Sequence, residues 1–276
     1  MSLKSWPTSE ITKATVVRVS SSARRRANTH ITRTVFAMKQ TSSALQPFDV
    51  SRVLADAFAV FHEGWRPILP VFFIAAMIDA VVVRMQPGWS FYSVVEFLAF
   101  IVTWTASAAI ATRLLYETAY GRPPRLPDAI AETASRFWPL LLTGVLSTLA
   151  LAIGTVLLVA PGVWVLGATS VIIPLIIIER AGTDALKRSF DMTEGYRWQA
   201  AGALGIIFIG TVIFNYVAIT AVSNIIEPSS FLFLPFDAIL TLIEGGLLAA
   251  VSLSIHKRLN ELKSSGPDEE LSEIFR

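Results

Sequence analysis

The chain has 276 residues, 53% of them apolar and only 16% charged, with a formal net charge of +2 at pH 7. Soluble domains carry about 25% charged residues, so this composition points to a bilayer as the solvent. Cysteine is absent, which excludes disulfides, zinc thiolate sites, iron–sulfur clusters and thiol nucleophiles. His30, His62 and His256 fall in the tail or beside helix ends, an arrangement that argues against a histidine metal cluster.

Residues 1–46 read as a basic, disordered N-terminal extension. Residues 1–48 hold eight Lys/Arg, including Arg24-Arg25-Arg26, and a single acid, Glu10. Without a hydrophobic stretch this is not a secretory signal. A transit peptide and a tail drawn to anionic lipid, at ~1 kcal/mol per basic residue, are the alternatives. Met38 is a candidate start of the functional chain.

Residues 47–255 form the membrane domain, with apolar segments near 67–84, 91–112, 138–160, 162–178, 198–222 and 231–254. From Trp138 to Ile178, forty-one residues pass without an ionisable side chain. As one helix that run would measure ~62 Å, about twice the hydrocarbon core. It is therefore expected to fold back at Pro161-Gly162 in a tight turn, with a kink at Pro174. Lys/Arg number ten in residues 1–66 and four each in 113–136, 179–197 and 256–276, while the other turns hold Arg84 alone. This alternation predicts an all-α polytopic protein with six transmembrane helices in three hairpins. Both termini, including the 256–276 tail, would be cytoplasmic, at a bacterial inner membrane. Trp65, Trp138 and Trp198 would mark the inner interface, Trp89 and Trp164 the outer, and Trp104 would pack between helices. Small residues at four-residue spacing (Ser107 and Ala111, Ala201 and Gly205, Gly245 and Ala249, Gly246 and Ala250) predict close helix seams.

Each odd-numbered crossing is preceded by a predicted cytoplasmic amphipathic helix. Residues 50–62 align Val53, Leu54, Ala57, Phe58 and Phe61. Residues 128–136 align Ala129, Ile130 and Ala134. Residues 183–193, capped by Thr183 or Asp184, align Leu186, Phe190 and Met192. The first and third share a spacing: Leu54, Phe58, Glu63-Gly64 and Trp65, against Leu186, Phe190, Glu194-Gly195 and Tyr196. This suggests a module used three times in parallel.

The string Pro161-Gly162-Val163-Trp164, Ile173-Pro174, Glu179, Ala185-Leu186-Lys187-Arg188-Ser189 and Gly195-Tyr196-Arg197-Trp198 resembles the glycerophosphoryl diester phosphodiesterase membrane-domain family of bacteria. The opening from Phe48-Asp49-Val50 to Trp65 resembles the same family more loosely. In its fused members, phosphodiesterase activity belongs to a separate soluble barrel that holds a divalent metal. Nothing here resembles that barrel, so the resemblance implies the membrane module without its activity.

Four acids, Asp79, Glu96, Asp237 and Glu244, fall within predicted crossings, where a charge costs ~2.5–3.5 kcal/mol on insertion scales. Asp237 and Glu244 are two turns apart on one helix, ~10 Å, and Asn215 is a candidate neutral partner. A water-accessible path for protons or cations, or a polar solute cavity, is one reading. The other pairs Asp79 with Arg84, sends Glu96 to headgroups and leaves the rest protonated and bonded between helices. Lys187, Arg188 and Arg197 either hold lipid phosphates or fix topology. No Gly-x-Ser-x-Gly, His-Glu-x-x-His or phosphate-binding glycine loop occurs. The sequence thus predicts a non-enzymatic accessory or scaffold module in envelope or lipid physiology, without cofactor or nucleic-acid partner. Its expected partners are the lipid bilayer, anionic lipids and an unidentified membrane or envelope protein. A transporter using the intramembrane acids and a lipid-handling protein are the alternatives.

Overall fold

A computed structural model describes residues 48–84, 90–157, 159–227 and 230–264, except for the side chains at 80, 83–84, 90–96, 157 and 231. The N-terminal extension with Met38, Trp89, the Asp79–Arg84 pairing and the side chain of Glu96 lie outside the described residues. Phe48–Ser264 form one compact unit, and its regular elements are helical: α1 Val50–Arg84, α2 Ser90–Ala119, α3 Leu126–Ser135, α4 Phe137–Leu157, α5 Val159–Thr169, α6 Ile172–Ile177, α7 Ala185–Met192, α8 Arg197–Ser223, a 3-10 turn Phe231–Phe233 and α9 Leu234–Ser264. Among the described residues, five stretches are long and apolar enough to cross a membrane: 97–119, 137–156, 159–177, 197–223 and 234–264. The expected crossing 67–84 is helical, as the second half of α1. With some of its side chains undescribed, it is not among the five.

α9 is the central element. Its 31 residues measure ~46 Å, longer than the hydrocarbon core, and its face against α1 is built from glycines. A β-carbon on Gly245 would lie 2.3 Å from Phe72 Cε1, and one on Gly246 would lie 2.5 Å from Phe61 Cε2. The Gly245 and Gly246 seams are therefore occupied as expected, whereas Gly205 faces open space. Ile68, Phe72, Leu114, Leu115, Val251, Ile255 and Leu259 are almost fully enclosed around this axis. α8 instead exposes Ile206, Ile209, Ile213 and Val217, the apolar surface a helix offers to lipid tails.

Several expectations need correction. Residues 50–62 are no separate interfacial helix, because α1 runs unbroken through Pro67 and Pro70. Proline deletes a helix hydrogen bond, yet Ile68 and Phe72 beside these prolines are 0% and 1% exposed, so packing on α9 holds the axis. Within this segment Val53 and Ala57 are buried, but Phe58 is half exposed. In the second segment Ala129 is buried while Ile130 and Ala134 face outward, and Thr133 is buried instead. The Glu-Gly-aromatic steps are also not equivalent. Gly64 lies inside α1, where a β-carbon would meet Leu115 Cδ2 at 2.5 Å, whereas Gly195 adopts φ 85° in the turn before α8. The three-fold module is not uniform in structure.

Pro161-Gly162 is not the hairpin turn. α5 already begins at Val159, so Pro161 occupies its first turn, where a missing N–H leaves no helix bond unmade. Gly162 serves close approach: its β-carbon would lie 3.0 Å from the backbone N of Thr155, and that of Gly154 would lie 3.1 Å from Gly162 Cα. Gly162→Val is expected to lower the unfolding temperature by several degrees, from ~1–3 kcal/mol of over-packing. Pro161→Ala should stay within ~0.5 kcal/mol of wild type. Thermal unfolding in detergent compares them, and equal losses would restore the turn reading.

Candidate functional site

The motif residues converge at a break between two short helices. α5 ends at Thr169 and α6 begins at Ile172. Pro174 accounts for the break: its ring clashes with the carbonyl four residues back, that of Ser170, and it has no N–H to give. Hydroxyls from elsewhere bond the carbonyls here. Ser252 Oγ of α9 donates to Ser170 O at 2.6 Å, and Ser189 Oγ of α7 donates to Ala168 O at 2.7 Å. The predicted kink is therefore present as a break, and Ser189, fully buried, is one of the groups that fasten it.

Trp164 lies on α5 with its ring 5.7 Å from Phe190 and 4.4 Å from the Arg197 guanidinium carbon. It therefore sits at the same end as the basic set, and its expected place at the opposite interface is overturned. Arg197 also donates from Nη2 to Phe190 O at 3.0 Å. One turn beyond Trp164, a β-carbon on Gly167 would come 2.1 Å from Arg197 O. α5 thus touches the first residue of α8 backbone to backbone. Gly195, whose left-handed backbone suits glycine, turns the chain so that Tyr196 stacks on Phe48 at 5.7 Å and Arg197 starts the helix. Trp198 is 57% exposed.

Glu179, beyond the end of α6, is the polar hub. Its Oε2 accepts from Arg188 Nη2 at 2.5 Å, and its Oε1 lies 2.8 Å from His256 Nε2 and 3.3 Å from Asn260 Nδ2. Burial pushes the Glu179 carboxyl up. The His256 and Asn260 hydrogen bonds, with the charges of His256 and Arg188, outweigh it and hold the group below its ordinary value. An ionised carboxylate only accepts, so His256 carries its proton on Nε2 toward Glu179. Sequence reasoning singled out Glu179 but missed His256 and Asn260. Their i, i+4 spacing, which places both on one face of a helix, was the available signal. Beside this hub, Arg113 lies 3.2 Å from both Glu117 and Glu132, with Arg180 3.8 Å from Glu132.

Asp184 begins α7 as expected, though its Oδ1 accepts from Gly182 N at 3.0 Å rather than from the helix. Ala185 and Met192 are buried, with Leu186 and Phe190 half-buried. Of the three candidate headgroup ligands, Arg188 is held by Glu179 and Arg197 by Trp164 and Phe190. Lys187 is exposed and makes no hydrogen bond or ion pair with a described residue. They do not form one basic patch.

The intramembrane acids also separate. Asn215 Nδ2 of α8 donates to Glu244 Oε2 of α9 at 2.7 Å, the partnership expected for a neutral amide. Asp237 lies within electrostatic reach of Asp79 on α1 instead. Glu96 lies on α2 with its side chain undescribed. Among the described acids, Asp79 and Asp237 thus lie within reach of each other, while Glu244 is engaged by Asn215. Among the described residues, no group of three His, Asp or Glu could hold a metal.

No protein-family model matches the chain, and no curated protein or solved structure matches it significantly.

Proposed function

We propose that the chain is a non-enzymatic module of the bacterial inner membrane, related to the glycerophosphoryl diester phosphodiesterase membrane-domain family. It would cross six times in three hairpins with both termini cytoplasmic, as an accessory or scaffold in envelope or lipid physiology. The observation that carries this reading is the divergence of the polar groups. Glu244 is bonded helix to helix, Arg188 is paired with Glu179, and Arg197 is held against Trp164 and Phe190. Such side chains fasten a bundle and leave its exposed apolar faces to lipid or to other membrane proteins.

Two experiments test it. The chain is naturally free of cysteine, so single cysteines report topology directly. Lys187→Cys should react with an impermeant maleimide only from the cytoplasmic side, and Leu232→Cys, at a position 72% exposed, only from the periplasmic side. The reverse pattern, or labelling of both from one face, would overturn the topology. For the scaffold role, a photo-crosslinking residue is placed at Phe58, Trp138 or Trp198, all exposed. Crosslinking in native membranes should capture a discrete partner protein from at least one position. Crosslinks to lipid alone at all three would refute the scaffold reading and favour lipid handling.

A further inference from the structure

α3 and α4 meet at an elbow. Arg136 N donates to Thr133 O at 3.1 Å as α3 ends, and Leu140 N donates to Arg136 O at 3.1 Å as α4 begins. Arg136 therefore stands immediately before the apolar stretch 137–156, at the depth of lipid headgroups. Trp138 beside it is 74% exposed, as amphipathic aromatics are at that depth. An acid four residues before an arginine is its usual helix partner. Here Glu132 is taken instead by Arg113 and Arg180, at 3.2 and 3.8 Å. The Arg136 guanidinium makes no hydrogen bond or ion pair with a described residue, and its Nε is buried. A guanidinium carries five donors and does not shed its charge, so an anionic ligand is favoured here.

Beside the elbow, a narrow crevice of about 10 Å³ lies between α2, α3 and α4, lined among others by Val102, Ala106, Thr133, Leu140 and Leu141. Water needs two to four polar partners, and these aliphatic walls offer few. A hydrocarbon chain lying along the crevice loses nothing there and buries apolar surface. Thr133 is only 6% exposed, yet its hydroxyl has no hydrogen-bond partner among the described residues. Threonines inside helices commonly give that proton to the carbonyl four residues back, as Thr148 does to Gly144 O at 2.8 Å. Thr133 keeps its donor for an occupant. The elbow thus brings together a charge, a buried hydroxyl and an aliphatic wall, which match the phosphate, ester and acyl chain of a glycerophospholipid. We propose that it binds one anionic glycerophospholipid, with Arg136 on the phosphate, Thr133 donating to an ester oxygen and one acyl chain along the crevice. Arginine holds phosphate oxygens bidentately. A headgroup that adds an ammonium fits less well, because Glu132, the nearest acid on α3, is already paired. This goes beyond the scaffold reading, since a bundle can fasten partners with or without a bound lipid.

The test is native mass spectrometry of the full chain titrated with phosphatidylglycerol in detergent, which counts the lipid bound to each chain. Wild type should carry one tightly bound lipid. Arg136→Gln alters a side chain that fastens nothing among the described residues and should weaken binding by ~10-fold or more, the worth of one bond to a charged group. Thr133→Val, of nearly the same shape, should weaken it by ~3-fold or more. Ala106→Leu, which narrows the crevice at a half-buried position, should weaken it as well. Arg122→Gln removes an exposed basic side chain and should leave binding unchanged. Wild-type affinity in Arg136→Gln, or an equal loss in Arg122→Gln, would overturn the site in favour of general attraction between a basic surface and anionic lipid. Wild-type affinity in Ala106→Leu, or displacement by glycerol phosphate as readily as by the whole lipid, would overturn the seat of the acyl chain. Phosphatidylethanolamine bound as tightly would overturn the choice of headgroup.

Discussion

Gly167→Ala is expected to be among the most damaging single-methyl substitutions in the chain. The added carbon would lie 2.1 Å from Arg197 O and 2.8 Å from Arg197 C. Both are backbone atoms, so no rotamer change relieves the contact and α5 must move away from α8. Over-packing costs ~1–3 kcal/mol where side chains can adjust, and more where they cannot. Displacing α5 would also pull Trp164 from Arg197 and Ala168 O from Ser189. A fall in Tm of roughly 5 °C or more, with loss of monodisperse protein, is the expected result. Gly210→Ala is the control. Its new carbon meets nothing within 4 Å, so removing a mid-helix glycine should gain ~0.5–1 kcal/mol. If both variants unfold at the same temperature, the close approach of α5 to α8 is wrong.

Glu179→Gln should show the second large effect. The bonds that the carboxylate makes to Arg188 and His256 are not equal. Arg188 keeps 43% of its side chain exposed, and such pairs are worth ~0–1 kcal/mol. His256 is only 6% exposed at the side chain, so a lost partner there leaves a desolvated donor, costing ~1–3 kcal/mol. Glutamine can accept at one oxygen but presents a donating NH2 where the other stood. A loss near 2 kcal/mol is expected at neutral pH, mostly from the histidine contact. The pH dependence carries its own sign. The folded carboxyl titrates below its ordinary value of 4.5, so the unfolded chain binds the proton more readily. The stabilisation is fully present above about pH 4.5 and is lost as pH falls through the lower folded value. Tm measured from pH 6 to pH 3 should therefore decline more steeply for wild type than for Glu179→Gln. Parallel declines would remove Glu179 from its central position.

What could be read in the sequence follows from what each signal depends on. The apolar segments were legible because length and hydropathy are local, and the basic clustering near 179–198 pointed to a real junction. The break near Pro174 was legible because proline acts on its own helix. Its fastening by Ser252 was not, since a hydroxyl 82 residues away carries no local mark. Pro161-Gly162 misled because the same dipeptide suits a turn and the first turn of a helix, and only the neighbouring Gly154 decides between them. Trp164 misled because interfacial and packed tryptophans have the same composition around them. The partnership of Asn215 and Glu244 was half legible. A polar group in a crossing must find a partner, but the choice of Glu244 over Asp237 is set by how α8 lies on α9.

The break between α5 and α6 also has a consequence for biosynthesis. Its Ser170 carbonyl is bonded by a hydroxyl that the ribosome makes 82 residues later, about 4–16 s later at ordinary elongation rates. Through that interval the emerging α5–α6 segment carries a backbone acceptor that lipid cannot satisfy. The segment is therefore expected to stay beside the insertion machinery, or keep water with it, until the last helix arrives. The chain would enter the bilayer as one late-closing assembly rather than helix by helix, and α9 would be the piece that releases it.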